Sequence, residues 1–260
     1  MREIVAIIPA RMGSTRFPGK PMAEIHGVPM VGHVFFRTRM CSLLSATYVA
    51  TCDQEIHDYI VSIDGKAIMT ANTHERCSDR TAEAMLKVES ETGRRVDIVV
   101  MVQGDEPMVT PDMIERALTP MLADPAIKVV NLMARMKTPE EFEDPNEVKV
   151  VVDLRGRALY FSREPIPSRR KGFEDVPMLK QVCIIPFRRD YLLEFNSLPE
   201  TQLERIESVD MMRIIEHGEH VHMVMTEAET LSVDSPEDLL RVVELMKGDA
   251  LMNGYKPTIV

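Results

Sequence analysis

The chain has 260 residues, with 31 Lys plus Arg against 41 Asp plus Glu, giving a formal net charge of −10 at pH 7. That balance argues against a broad basic surface for nucleic acid or membrane. With 45% hydrophobic and 28% charged residues, the composition is that of an ordinary globular protein long enough to bury roughly 70–75% of its unfolded surface. Trp is absent, so aliphatic residues and 20 Met must fill the core. Cys41, Cys52, Cys77 and Cys183 are scattered and form no Cys-x-x-Cys pair, which argues against a zinc site or a disulfide framework. Free thiols suit a reducing cytoplasm. The apolar run at 4–10 is too short for a signal peptide, and no segment approaches the ~18 apolar residues of a membrane span. A cytoplasmic protein is expected.

In chain order, residues 3–10 are β-branched and almost continuously apolar, the pattern of a strand buried on both faces. A Gly/Pro/Arg loop follows over 11–21. The next segments read as a helix at 29–44, a strand at 47–51, a helix at 54–63 and a strand at 66–70. Asp79-Arg80 opens a further helix. Residues 96–103 form another buried strand that ends in Gly104-Asp105-Glu106-Pro107. Thr110-Pro111 starts a helix running to about 122, and 128–135 is a strand. Residues 148–153 and 158–162 read as a β-hairpin, followed by an irregular Pro/Arg/Lys-rich arm over 163–180. Then come a strand at 182–187, one long helix at 203–218, a strand at 220–226 and a closing helix at 237–246, with Ser235-Pro236 as cap and first turn. Strands alternating with helices indicate an α/β fold with a mostly parallel, doubly wound sheet.

The strongest local feature is the loop after the first strand, at the strand end where open α/β sheets bind ligands. It places Arg11, Arg16 and Lys20 within ten residues, and Gly13 and Gly19 permit close backbone approach. Such a cation cluster on an acidic chain points to an anionic ligand such as a triphosphate. It is not a P-loop: five residues separate Gly13 from Gly19, and Pro21 follows Lys20. No Gly-x-Gly occurs, so the dinucleotide fingerprint fails as well. Asp105, at the end of a buried strand, reads either as a Mg²⁺ ligand or as part of an acidic turn. Asp234 reads as a second ligand or as a helix cap. Together with the basic loop the two would make a phosphoryl-transfer site. His217, His220 and His222 read as a solvated edge rather than a metal cluster. Cys77 and Cys183 read as packing residues.

As a set, IIPARMGSTRFPGKPM (7–22), Ser78-Asp79-Arg80, VQGDEP (102–107), DPNEVKVVVD (144–153), ALYFSREPIP (158–167), LERIESVDMMR (203–213) and VDSPEDL (233–239) resemble the sugar-acid cytidylyltransferases, most closely the CMP-KDO synthetase (3-deoxy-manno-octulosonate cytidylyltransferase) family. The resemblance extends over nearly the whole chain. It implies a single Rossmann-like nucleotidyltransferase domain over 1–260, and a homodimer whose smaller lobe includes the hairpin and arm at about 148–195. It also implies the reaction of CTP with a sugar acid to give a CMP-sugar and pyrophosphate. By the same analogy Arg11, Gly13, Ser14, Arg16, Lys20, Arg80 and Gln103 contact the nucleotide, and Arg11, Lys20 and Asp105 serve catalysis. Asp105 and Asp234 hold Mg²⁺, while Gln181, Asp210 and Met211 face the sugar acid.

The sequence departs from the family pattern around Arg76-Cys77, Gln181, Cys183, Ile185 and Met211, where hydrogen-bonding groups for a polyhydroxylated acid are expected. Three alternatives therefore stand beside KDO: an amino-modified or other ulosonic acid, a non-ulosonic acceptor, and a non-catalytic nucleotide-binding homologue.

Overall fold

The computed structural model describes residues 2–14, 16–170, 172 and 175–255. They fold as two compact units: Met1–Glu115 with Glu229–Val260, and Arg116–Ala228. The expected lobe at 148–195 lies inside the second unit, which is wider than that segment.

The first unit begins with β1 (Ile4–Pro9), buried at every residue, as its unbroken apolar run requires. A short hairpin of β2 (Glu24–Ile25) and β3 (Val28–Pro29) leads into α1 (Met30–Arg39). The helix expected over 29–44 is thus shorter, because Pro29 is spent on the hairpin and the chain leaves the helix at Met40. Next come β4 (Ala46–Thr51), α2 (Gln54–Ser62), β5 (Lys66–Met69), α3 (Cys77–Thr92) and β6 (Ile98–Val102). These strands pair in the order β6-β1-β4-β5, all parallel, as the sequence pattern predicts.

α4 (Pro111–Ala123) carries the chain into the second unit. There β7 (Val130–Arg135) is followed by α5 (Pro139–Glu143) and the expected hairpin, β8 (Lys149–Val152) and β9 (Ala158–Ser162). The arm contributes β10 (Leu179–Val182), and β11 (Ile184–Arg188) leads into α6 (Arg189–Ser197), a helix that the sequence reading leaves unassigned. The sheet of this unit is mixed: β12 (His222–Thr226) pairs parallel with β7, whereas the β7-β10-β8-β9 contacts are antiparallel. Parallel pairing therefore dominates only the first unit.

The long helix expected over 203–218 is two helices, α7 (Gln202–Glu207) and α8 (Met211–Glu216). Ser208, at φ +54°, ends α7 in the left-handed conformation. The break lets Arg213 make two hydrogen bonds to the Glu204 carboxylate, at 2.7 and 2.6 Å. In one continuous helix nine residues would separate the two by about 13.5 Å along the axis.

The chain returns to the first unit with α9 (Pro236–Leu245). Val233, just before it, is fully buried in an apolar cluster with Ile25, Met30, Met108, Val242 and Met246. Beside this cluster the buried Arg37 forks onto Asp249 at 2.9 and 3.1 Å and donates to the Val109 carbonyl at 2.7 Å. His33, also buried, bridges the Ile25 carbonyl at 2.8 Å and the Tyr255 hydroxyl at 2.7 Å.

Candidate active site

The loop after β1 folds back on itself through its own backbone. The Met12 carbonyl accepts from Ser14 N at 2.8 Å and from Gly19 N at 3.1 Å. Gly19 sits at φ +75°, a conformation open to glycine at little cost, and it starts the short 3-10 turn Lys20–Met22. That turn sends Lys20 inward, where its side chain is only 11% exposed.

Lys20 Nζ donates to Asp105 Oδ2 at 2.8 Å, to the Val233 carbonyl at 2.6 Å and to Asp234 Oδ1 at 3.4 Å. Burial alone would push this ammonium down, but Asp105 and then Asp234 outweigh it and hold the group above its ordinary value. Arg16 Nη2 reaches the same Asp234 oxygen at 2.8 Å from a half-exposed position. Two carboxylates and two cations drawn from residues 16, 20, 105 and 234 thus share one spot.

Each carboxylate is fixed by its own surroundings. Gly104 brings the end of β6 against the end of β1 so closely that an added Cβ would lie 3.0 Å from the Pro9 carbonyl oxygen. Any side chain there would have to push the β1 end back by a few tenths of an ångström, and Asp105 follows directly. Val233 N donates to the Asp105 carbonyl at 3.0 Å, which ties the strand end to the segment carrying Asp234. Asp234 is not the helix cap. Ser235 caps α9, accepting from Asp238 N at 3.2 Å while Asp238 returns the bond to Ser235 N at 2.9 Å. Asp234 is thereby released to face Lys20 and Arg16.

A cavity of about 270 Å³ opens over this cluster. Arg11, Gly13, Ser14, Arg16 and Lys20 form its wall on the loop side, and Gln103, Asp105 and Asp234 face them. Arg11 is exposed, and its Nη1 donates to the His74 carbonyl at 3.3 Å. Arg80 is not among the wall residues: it is 3% exposed and binds Thr70 Oγ1 and the Ala71 carbonyl.

Of the residues assigned to the sugar acid, all in the second unit, Gln181 is half-buried and donates through Nε2 to Asn131 Oδ1 at 2.6 Å. Asp210 precedes α8 at its N-cap. Met211 is a correction: at 1% exposure it is a core side chain with no surface to offer a substrate. Cys77, read from sequence as packing, instead lines the cavity at the first residue of α3. The strand-end rule that located Asp105 could have found it, since the helix after β5 must also begin near the sheet's carboxyl edge.

The sequence profile of one family, described as Cytidylyltransferase, matches residues 5–223. The chain belongs to the cytidylyltransferase family. Curated relatives include the 3-deoxy-manno-octulosonate cytidylyltransferase of Trichlorobacter lovleyi, 44% identical over 255 residues, covering 94% of this chain and 99% of the relative. That of Geobacter metallireducens is 42% identical, covering 93% and 97%. A solved CMP:2-keto-3-deoxy-manno-octonic acid synthetase complexed with CTP superposes with a TM-score of 0.86 at 40% identity, covering 95% of this chain and 99% of that one. The 4-diphosphocytidyl-2C-methyl-D-erythritol synthase of Anaerococcus prevotii, at 12% identity and a TM-score of 0.61, shares the fold. This cytidylyltransferase is a nucleotidyltransferase of Rossmann-like fold, as the motif resemblance implies. Asp234 lies beyond the residues that the profile matches, yet in this cytidylyltransferase the fold returns it to Lys20.

Proposed function

We propose that this cytidylyltransferase transfers the cytidylyl group of CTP to 3-deoxy-manno-octulosonate or a closely similar 2-keto-3-deoxy sugar acid, releasing pyrophosphate. The carrying observation is the convergence of the basic loop with Asp105 and Asp234 on one cavity, in a chain 44% identical to a relative of that name.

Arg11, Arg16 and Lys20 present positive charge to the triphosphate, and the Gly13–Ser14 backbone permits close approach. The anomeric hydroxyl oxygen attacks the α-phosphorus and gives up its proton to solvent, and the bond from that phosphorus to the pyrophosphate oxygen breaks. The loop cations stabilise the charge that grows on the leaving group. Asp105 and Asp234 fit a divalent cation: both reach one ammonium, at 2.8 and 3.4 Å, and both offer the hard oxygen atoms that Mg²⁺ takes together with water and phosphate. Bound there, Mg²⁺ would neutralise phosphate charge.

The second unit supports homodimer formation in this reading. Leu159 on β9 and Ile206 on α7 are 56% and 65% exposed, on elements that Tyr160 and Glu207 bond together. Size-exclusion chromatography with light scattering should give twice the chain mass. Four free cysteines agree with a cytoplasmic setting, and no helix among the described residues is long and apolar enough to cross a membrane.

Pyrophosphate release, assayed over a panel of sugar acids with CTP or UTP and with or without Mg²⁺, tests the reading. Turnover should require CTP, Mg²⁺ and a 2-keto-3-deoxy acid together. Asp105→Ala should lower kcat by about 10²–10³-fold. Undiminished turnover in that variant would remove Asp105 from the metal site, and turnover with another acid alone would replace the acceptor.

A further inference from the structure

An aspartate at a helix N-cap ordinarily bonds the first free N–H groups of its own helix. Asp53 occupies the N-cap of α2 and makes no such side-chain bond. Its Oδ2 instead accepts from Met12 N at 2.8 Å, across 41 residues of sequence. The Cys52 thiol donates to the same oxygen at 3.6 Å, and Asp53 N is itself held by Thr51 Oγ1 at 3.1 Å.

Met12 is where the basic loop closes. Its carbonyl takes the N–H groups of Ser14 and Gly19, so the orientation of one peptide unit governs the path from 12 to 19. That path carries Ser14 and Arg16 and delivers Lys20. The bond from Asp53 fixes the peptide from its N–H side, while the two loop bonds fix the next peptide from its carbonyl side. Asp53 stands at the carboxyl end of β4, and the loop leaves the neighbouring strand β1. The sheet therefore supplies a base for a loop whose described residues before Lys20 form no helix or strand.

We propose that Asp53 is a positioning residue for nucleotide binding. Through Met12 it holds the loop in the shape that presents Ser14, Arg16 and Lys20 to the triphosphate, and it touches neither substrate. The inference rests on the CTP reading of the cavity.

Steady-state kinetics on the full chain, varying CTP and the sugar acid separately, test it with Asp53→Ala and Asp53→Asn. Asparagine keeps an oxygen able to accept from Met12 N, and alanine does not. In Asp53→Ala the KM for CTP should rise about tenfold, the size expected for loss of a charge-assisted hydrogen bond. The KM for the sugar acid should stay within about twofold, and Asp53→Asn should stay within about threefold of wild type. Asp53→Ser, whose side chain can cap α2 but is too short for Met12, replaces alanine if that variant fails to fold. An unchanged KM for CTP in the truncated variant overturns the proposal. So does an equal rise in both KM values, or an asparagine variant as impaired as alanine. Wild-type protein that turns over no CTP would instead overturn the functional reading. Calorimetric titration of the same proteins with CTP would then decide the role of Asp53 on its own.

Discussion

At the scale of single residues, two buried polar groups show how local surroundings set charge. His33 is fully buried, and desolvation pushes its imidazole down to about 4. Its ring nitrogens face the Ile25 carbonyl and the Tyr255 hydroxyl, which places the proton on the nitrogen facing the carbonyl and leaves the other to accept. Arg37, Asp249 and His26 are the charged or titratable groups around it. Because the folded value lies below the ordinary 6.5, the unfolded chain binds more protons between those limits, and stability falls as pH drops from about 6.5 to 4. The full loss should be about 3 kcal/mol, of which about 2 kcal/mol falls between pH 7 and pH 5. Urea denaturation at pH 7 and pH 5 should show it, and His33→Gln should flatten the dependence. Lys20 is the opposite case, a buried cation kept charged by two carboxylates. The strand-end rule brought Arg11, Gly13, Arg16, Lys20 and Asp105 to one sheet edge, and the family resemblance added Ser14 and Gln103; all seven line the cavity. The sequence could not place Asp53, whose role depends on which N–H its carboxylate finds; Ser235 reads as the cap of α9 and is the cap, whereas Asp234 stays open between ligand and cap until its side chain is seen to face Lys20.

At the scale of elements, β1 and β6 were legible because each is buried at every residue and reads as an apolar run. The α7–α8 corner was not. Its residues keep a helical spacing straight through Ser208, and only the tertiary pairing of Glu204 with Arg213 shows why the chain turns. That pair is 0% and 5% exposed, and the guanidinium also lies 4.8 Å over the Phe195 ring. Arg213→Met would strand a buried carboxylate and should cost about 3–5 kcal/mol in chemical denaturation. Adding Glu204→Leu should restore most of the loss, since an apolar pair leaves no charge without a counter-ion. If the double variant were as unstable as the single one, the pair would matter for the geometry of the corner rather than for its charge.

At the scale of the whole molecule, a net charge of −10 and a cavity lined by Arg11, Arg16 and Lys20 pull in opposite directions. Distance decides between them: Arg11, Arg16 and Lys20 act at contact range, whereas the remaining charges are screened beyond about 8 Å at physiological salt. Added KCl at fixed free Mg²⁺ should therefore raise the KM for CTP, and a fall would mean that the overall negative field dominates. The first unit is also discontinuous, with residues 116–228 intervening between its two segments. Lys20 and Asp105 belong to the early segment, while the Val233 carbonyl and Asp234 belong to the late one. On the ribosome, at about 5–20 residues per second, roughly 6–23 s must pass between synthesis of the two. During that interval Lys20 and Asp105 exist without Asp234, so the cluster of one ammonium with both carboxylates can assemble only once residue 234 has been translated.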